Sequence, residues 1–121
     1  MTQKEKELLL KDFCARLPYG VKCKYQHIQY VENGKLIDIN MFGRVNIDGH
    51  IKDICDVKPY LFPLSSMTSK HRAELSMLVA NEYDMLKSFL IEIEFYHKHH
   101  FDYRGLIDKG LAIDATGLNV Y

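Results

Sequence analysis

The densest group of side chains that could do chemistry lies near the C-terminus, in a stretch with three histidines. If residues 69–100 are helical, His97 and His100 share a face, and Asp102 follows as a third candidate ligand. Such a set suits zinc and would support a metal-dependent hydrolase. The chain has no His-Glu-x-x-His motif, however, and histidines at a helix C-terminus also stabilise its last carbonyls. We therefore favour a structural role, with no metal and no cofactor.

Two aromatic-rich segments are the second candidate. Tyr60 and Phe62 lie between two prolines, and Tyr103 lies beside Arg104 after the predicted helix. A guanidinium fork beside an aromatic anchor suits the carboxylate or phosphate of a partner. The alternative is structural, because an Asp two residues before an Arg commonly forms a local ion pair. The candidate binding residues are Tyr60, Phe62, His100, Asp102, Tyr103 and Arg104.

The charge balance bears on nucleic-acid binding. Among 121 residues, 16 Lys plus Arg oppose 16 Asp plus Glu, so the net charge is zero. The chain therefore lacks the general attraction to phosphate backbones on which most nucleic-acid-binding proteins depend. A basic sheet face with exposed aromatic rings remains a less favoured alternative, because such a face can stack single-stranded bases. Its residues would be Lys22, Lys24, Lys35 and Lys58 with Tyr25, Tyr30, Phe42, Tyr60 and Phe62.

Motifs of common catalytic sites are absent from the sequence. Glu92 and Glu94 are two residues apart and would point to different sides of a helix. Ser65–Ser66 lacks the Gly-x-Ser-x-Gly elbow, and the seven glycines form no phosphate-binding loop. The sequence therefore does not indicate an enzyme.

The cysteines and the N-terminus indicate a cytoplasmic protein. Cys14, Cys23 and Cys55 contain no Cys-x-x-Cys pair, and we expect each to be a small buried hydrophobe. The first seven residues are too charged for a signal peptide, and no apolar run is long enough to span a membrane.

The N-terminal region predicts a helix over residues 3–17. Thr2 and Glu5 form a capping-box pattern, and Pro18-Tyr19-Gly20 ends the helix. Its apolar stripe faces the core, whereas Lys11 and Asp12 are assigned to the opposite, polar side.

Strands follow, because the apolar period changes to two. A bulge near Gln26–His27 keeps the apolar set on one face, and Asn33–Gly34 predicts a tight hairpin turn. The next run predicts a central strand, bent or divided at Gly43. Its inward residues occupy odd positions and are Ile37, Ile39, Met41, Gly43, Val45 and Ile47. Asp48–Gly49 predicts a second tight turn before a strand at 51–57.

The C-terminal half predicts helices. The prolines at 59–64 argue against regular structure there, and candidate N-caps precede a helix over 69–100 that a break at 81–84 divides in two. The alternation of residues 91–95 leaves a strand as an alternative there. The apolar stripe of the helices consists of Leu75, Leu78, Val79, Leu86, Phe89, Leu90, Ile93 and His97.

We therefore predict a single α+β domain over residues 1–121. It has an N-terminal helix, a three- to four-stranded antiparallel meander, and a C-terminal helix or helix pair packed on the sheet. After a turn at 108–110, residues 111–113 form a short extended piece that can add to the sheet.

Three stretches of the sequence are familiar as a set. They are residues 14–21 (CARLPYGV), 57–68 (VKPYL-F-PLSSMT) and 99–112 (HHFDYRGLIDKGLA). The set resembles a family of small uncharacterised proteins encoded by gut Bacteroidetes and their prophages or mobile elements. The resemblance implies a bacterial or phage setting and a helix, sheet, helix order, and it brings no established activity.

The first functional hypothesis is a non-enzymatic binding module. It would contact an unidentified protein partner through the Tyr60 and Tyr103 regions, if these lie together on the surface. Nucleic-acid binding is the alternative, and a metal-dependent hydrolase is third.

Overall fold

The computed structural model of the chain describes residues 1–26, 31–40 and 42–121. They form an α+β architecture with the predicted order of helix, sheet and helix pair. The helices are α1 (Gln3–Arg16), α2 (Ser69–Val79) and α3 (Met85–Lys98). The strands are β1 (Lys22–Gln26), β2 (Val31–Ile39), β3 (Arg44–Ile47), β4 (His50–Asp53), β5 (Val57–Pro63), β6 (Phe101–Asp102) and β7 (Ile113–Asp114). The described residues thus contain more strands than the three or four predicted.

The sheet is mixed. Its strand order is β4-β3-β2-β1-β5-β6, and β7 also pairs with β5. β1 to β4 form an antiparallel meander and β5 is antiparallel to β1, but β6 and β7 run parallel to β5. The apolar core consists of Leu9, Phe13, Val21, Cys23, Tyr25, Leu36, Val45, Ile47, Ile54, Val57, Leu61, Leu106, Leu111 and Ala112.

The capping of α1 is confirmed. The Thr2 hydroxyl accepts the Glu5 N–H at 3.1 Å, and the Glu5 carboxylate accepts the Thr2 N–H at 3.0 Å. The helix ends at Arg16 and is followed by a 3-10 turn that carries Pro18. Gly20 then takes the left-handed conformation with φ of 67°, which glycine adopts without a steric penalty.

The tight turn predicted at Asn33–Gly34 is wrong. Both residues lie within β2, where they pair with Lys24 and Cys23 of β1. Gly34 is required for packing: a Cβ atom on it would lie 2.7 Å from the Ile47 Cγ2 atom. The residues between β1 and β2, and with them the predicted bulge at Gln26–His27, lie outside the described part of the chain.

The predicted central strand is divided into two strands next to Gly43, which is one of the two predicted outcomes, but its inward set is partly wrong. β2 and β3 pair across a turn, with a register shift between Leu36 and Asp38. Because a shift of one residue moves side chains to the other face, Leu36 is buried and Ile37 is 51% exposed. Val45 and Ile47 are buried as predicted, whereas Met41 lies outside the described residues. The Asp48–Gly49 turn is confirmed, with positive φ at both residues.

The proline-containing segment, predicted to be irregular, is strand β5. The Leu61 carbonyl accepts the N–H of Ala115, next to β7. In a strand, residues two apart direct their backbone N–H and C=O groups to the same edge, so the backbone of Pro59 and Pro63 is directed to the same edge of β5 as that of Leu61, the edge that pairs with β7. β7 pairs only with Tyr60 and Leu61, which lie between the prolines. The N–H group that each proline lacks is therefore not required for this pairing.

The C-terminal helix pair is confirmed, with the break where it was predicted. The side chains of Thr68 and Asp84 cap α2 and α3, respectively. Residues 91–95 are helical, so the alternative of a strand is wrong. Of the short extended piece predicted at 111–113, only Ile113 lies in a strand, β7.

The cysteine prediction holds for one residue of three. Cys23 is buried in the core, whereas Cys14 and Cys55 are exposed. Cys14 lies on α1 away from its buried face, and Cys55 lies in a 3-10 turn. Within the described ranges, no helix has the length and apolar character needed to cross a lipid bilayer.

Candidate functional site

The six candidate binding residues do not form one exposed patch. Tyr60 and Asp102 are buried, with 5% and 8% exposure, and the other four are partly buried. Phe62 and His100 lie on one side, at the pairing of β5 with β6, where the Phe62 N–H donates to the His100 carbonyl. The Tyr103–Arg104 pair contacts α1 and α3 instead.

Tyr121 organises the first group, and sequence reasoning missed it. Its ring stacks on His100, with 3.9 Å between ring centroids, and lies 5.8 Å from that of Phe62. Its hydroxyl donates to the Tyr60 carbonyl at 2.7 Å and accepts the Lys22 N–H at 2.9 Å. Burial raises the Tyr121 pKa, which keeps this hydroxyl protonated and able to donate. The Tyr60 carbonyl is therefore satisfied internally, whereas His100 Nδ1 is buried without a hydrogen-bond partner among the described residues.

Asp102 also has a structural role. Its two carboxylate oxygens accept the backbone N–H groups of Leu106 at 3.0 Å and Ile107 at 2.9 Å. These bonds close the loop that follows β6. The local ion pair considered for Asp102 and Arg104 is not the observed pairing, because the Arg104 guanidinium lies 3.3 Å from Asp12 instead.

A buried polar junction, consisting of Asp12, Arg16, His97, Tyr103 and Arg104, joins α1 to the C-terminal end of α3. Asp12 and Arg16 are fully buried and form an ion pair at 2.8 Å. The assignment of Asp12 to the polar side of α1 is therefore wrong. Burial raises the Asp12 pKa, against the opposing effect of the Arg16 guanidinium.

Arg16 uses its remaining donors on backbone carbonyls. Its Nη2 donates to the Phe101 carbonyl at 2.6 Å, and its Nη1 donates to the Tyr96 carbonyl at 3.4 Å. Tyr96 lies in the last turn of α3, where carbonyls lack helical partners. Arg16 thus caps the end of α3 from another helix.

Tyr103 lies over this junction. Its hydroxyl is hydrogen-bonded to His97 Nε2 at 2.6 Å, and the Arg104 guanidinium lies 4.9 Å from its ring centroid. Burial lowers the pKa of His97 to about 4, and the positive charges of Arg16 and Arg104 act in the same direction. His97 is therefore neutral near pH 7, and Tyr103 serves as internal packing more than as an exposed anchor.

The histidines do not converge on a metal position. His97 bonds to Tyr103, whereas His100 stacks on Tyr121. Burial lowers the pKa of His100 to about 4. Within residues 1–26, 31–40 and 42–121, no group of three or more His, Cys, Asp or Glu side chains is placed to hold a metal ion.

The lysines of the predicted basic sheet face lie next to one another, but two of its predicted aromatic rings are not exposed. Lys24 pairs directly with Lys58, and Lys22 pairs with Lys35. Tyr25 and Tyr60 are buried and offer no surface for a base to stack on, and Tyr30 lies outside the described residues.

The main exposed apolar surface lies elsewhere, on the first half of α3. We call it the α3 face: Met85, Leu86, Phe89 and Leu90, which are 56% to 87% exposed. Tyr83, just before the helix, is 94% exposed. The stripe was predicted to pack on the sheet, and for Leu78, Leu86, Phe89 and Leu90, each more than half exposed, that is wrong. Phe95 is the buried residue of α3, because the helix meets α1 and β6 near its C-terminal end.

Sequence reasoning found this stripe but not its exposure. Periodicity shows that apolar residues share a face, and it does not show what covers that face.

No protein-family model matches the chain, and comparisons with curated proteins and with solved structures found no match.

Proposed function

We propose that the chain is a non-enzymatic interaction module that contacts a protein partner through the α3 face. The observation that carries this proposal is the exposure of four large apolar side chains within six consecutive residues of one helix. Exposed apolar side chains scattered singly are ordinary, whereas a contiguous patch is typical of a protein contact surface.

The size of the face supports a protein partner. The four side chains of the α3 face expose on the order of 500 Å² of surface. The largest apolar patch on a typical soluble monomer is roughly 300–600 Å². One side of a standard protein interface buries about 800 Å². The face is therefore large enough to form most of one interface.

In this proposal the Tyr60 and Tyr103 regions are supports for the contact surface. The Tyr103 region fixes the end of α3 against α1, and Tyr121 fixes β5 beside β6. The placement of Tyr25, Tyr60 and the histidines gives no support to the nucleic-acid and metal-hydrolase hypotheses. A bacterial or phage setting stays a prediction from the sequence resemblance.

The test is site-specific photo-crosslinking in the native host. A photoreactive amino acid replaces Phe89, and the matched control replaces Phe42, an 83% exposed phenylalanine in the turn between β2 and β3. We expect one defined protein adduct at position 89, which the added substitution Leu86→Asp abolishes, and no such adduct at position 42.

The adduct partner is then identified and purified. It must bind the wild-type chain and fail to bind Leu86→Asp, with circular dichroism showing that the variant is folded. No adduct at position 89, or the same adducts at both positions, would overturn the proposal.

A further inference from the structure

We propose that the occupant of the α3 face is a second copy of this chain, packed antiparallel through α3 about a two-fold axis. This inference rests on the proposed function and names its partner. An apolar stripe is complementary to itself, which a two-fold interface requires, because the same patch serves on both subunits.

The axis is placed by the stripe. Leu86, Phe89, Leu90 and Ile93 recur at helical spacing and share one side of α3. An antiparallel pair overlaps most fully when the axis passes between residues 89 and 90. Leu86 then faces Ile93 of the second copy, and Phe89 faces Leu90 of the second copy. The two copies of α3 would pack as antiparallel helices do in a helix bundle, with apolar side chains along the line of contact.

The charges beside the stripe are complementary in this arrangement. Lys87 and Glu94 are both exposed, and they are seven residues, or about two turns, apart on the same edge of the stripe. In antiparallel packing about a two-fold axis, the same edge of the stripe from each copy lies side by side. A residue then faces the residue of the second copy that is equally far from the axis on its other side. With the axis between residues 89 and 90, Lys87 lies within about 3 Å, along the axis direction, of Glu94 of the second copy.

Each dimer therefore contains two Lys87–Glu94 pairs. Glu94 already accepts a hydrogen bond from the Tyr19 hydroxyl at 3.0 Å, and this contact orients its carboxylate. A carboxylate has acceptor sites for a further donor. A parallel arrangement would bring opposite edges of the stripe together and would leave Lys87 without Glu94.

The first experiment is sedimentation velocity of the purified chain over a range of concentrations. The wild type is expected to pass from 14.1 kDa to twice that mass as concentration rises. Leu86→Asp is expected to stay monomeric and folded, because Leu86 is mostly exposed within the monomer. A wild type that is monomeric throughout the range would overturn the inference.

The second experiment tests orientation and register by charge exchange. Lys87→Glu places Glu against Glu94 twice, and Glu94→Lys places Lys against Lys87 twice. We expect each single variant to raise the dissociation constant roughly ten-fold or more. An equimolar mixture should restore association, because the mixed dimer contains one native and one reversed pair. The matched control is Lys4→Glu, an exposed lysine on α1, which should leave association unchanged.

The outcomes separate this inference from the proposed function. If the mixture associates no better than either variant alone, the antiparallel arrangement is wrong. If the wild type is monomeric while crosslinking at position 89 identifies a different protein, the second copy is excluded and the proposed function stands. If position 89 forms no adduct at all, both fail.

Discussion

The two halves of α3 differ in what they bury: charged groups are buried at one end, and apolar side chains are exposed at the other. Its C-terminal end lies over a junction where a carboxylate and a guanidinium are fully buried. Its N-terminal half exposes four large apolar side chains to solvent. A helix is normally anchored by its apolar stripe, with its polar groups in water. Here directional hydrogen bonds from Arg16 hold one end, and the apolar stripe of the other half is free for a partner.

This difference indicates that contacts at its C-terminal end stabilise the packing of α3 in the monomer. Arg16 reaches two backbone carbonyls near the end of α3 as well as Asp12, so one side chain joins three elements. Phe95, which is 3% exposed, supplies apolar contact beside them. The α3 face contributes less than Phe95 to folding of the monomer, because more than half of each of its side chains is exposed to water.

The largest expected effect comes from breaking the buried junction. Arg16→Ala leaves the buried Asp12 carboxylate with Arg104 as its remaining ion-pair partner and removes donors from two carbonyls, so we expect a loss of roughly 3 kcal/mol of unfolding free energy. Urea denaturation followed by circular dichroism measures it. Arg72→Ala, an exposed arginine on α2, is the control and should change stability by about 0.5 kcal/mol or less. Equal stabilities of the two variants would show that the junction does not anchor α3.

A matched pair of phenylalanines on α3 compares its two halves directly. Phe95→Ala should cost roughly 3 kcal/mol, because it leaves a cavity. Phe89→Ala should cost about 1 kcal/mol or less, because Phe89 is 57% exposed. Both are measured by denaturation in the Leu86→Asp background, which is expected to be monomeric, so that association does not contribute. Similar losses would mean that the α3 face is packed within the monomer.

A smaller effect is expected from pH. His97 and His100 have folded-state pKa values of about 4, whereas an unfolded histidine titrates near 6.5. Between these values the unfolded chain binds more protons, so stability is fully present above about pH 6.5 and falls as pH decreases toward 4. Because both rings are partly exposed, we expect a loss of about 1–2 kcal/mol in total.

The variant His100→Gln isolates this contribution from that of the carboxyl groups. Its stability should fall less steeply between pH 6.5 and 4 than that of the wild type. Leu86→Asp, which changes only the α3 face, should keep the slope due to histidine. An unchanged slope in His100→Gln would contradict the assignment.

Features decided by local chemistry could be predicted from the sequence. The Thr2 cap, the break between α2 and α3, and the Asp48–Gly49 turn depend on neighbouring residues, and all three are confirmed. Asn33–Gly34 has the same local signal as a turn. It nevertheless lies in a strand, where Gly34 gives room to the side chain of Ile47, a residue that the local signal does not include.

The candidate site was less predictable, because its character depends on what covers each side chain. Periodicity identified the apolar stripe on α3 but could not show that most of it lacks a cover. From the sequence alone, Asp12 is expected to be a surface residue. In the structure it is buried between Arg16 and Arg104, and Arg104 lies about ninety positions further along the chain. Tyr121 carries no local signal, and its role depends on three distant segments.

The most direct test of the α3 face uses the absence of tryptophan from the chain. A single tryptophan introduced as Phe89→Trp reports the environment of the face by its fluorescence emission. In dilute solution we expect the red-shifted emission of a solvated indole, and a blue shift as the protein associates. Blue-shifted emission at the lowest concentration, unchanged by further dilution or by Lys87→Glu, would show that the face is buried within the monomer and would contradict the account.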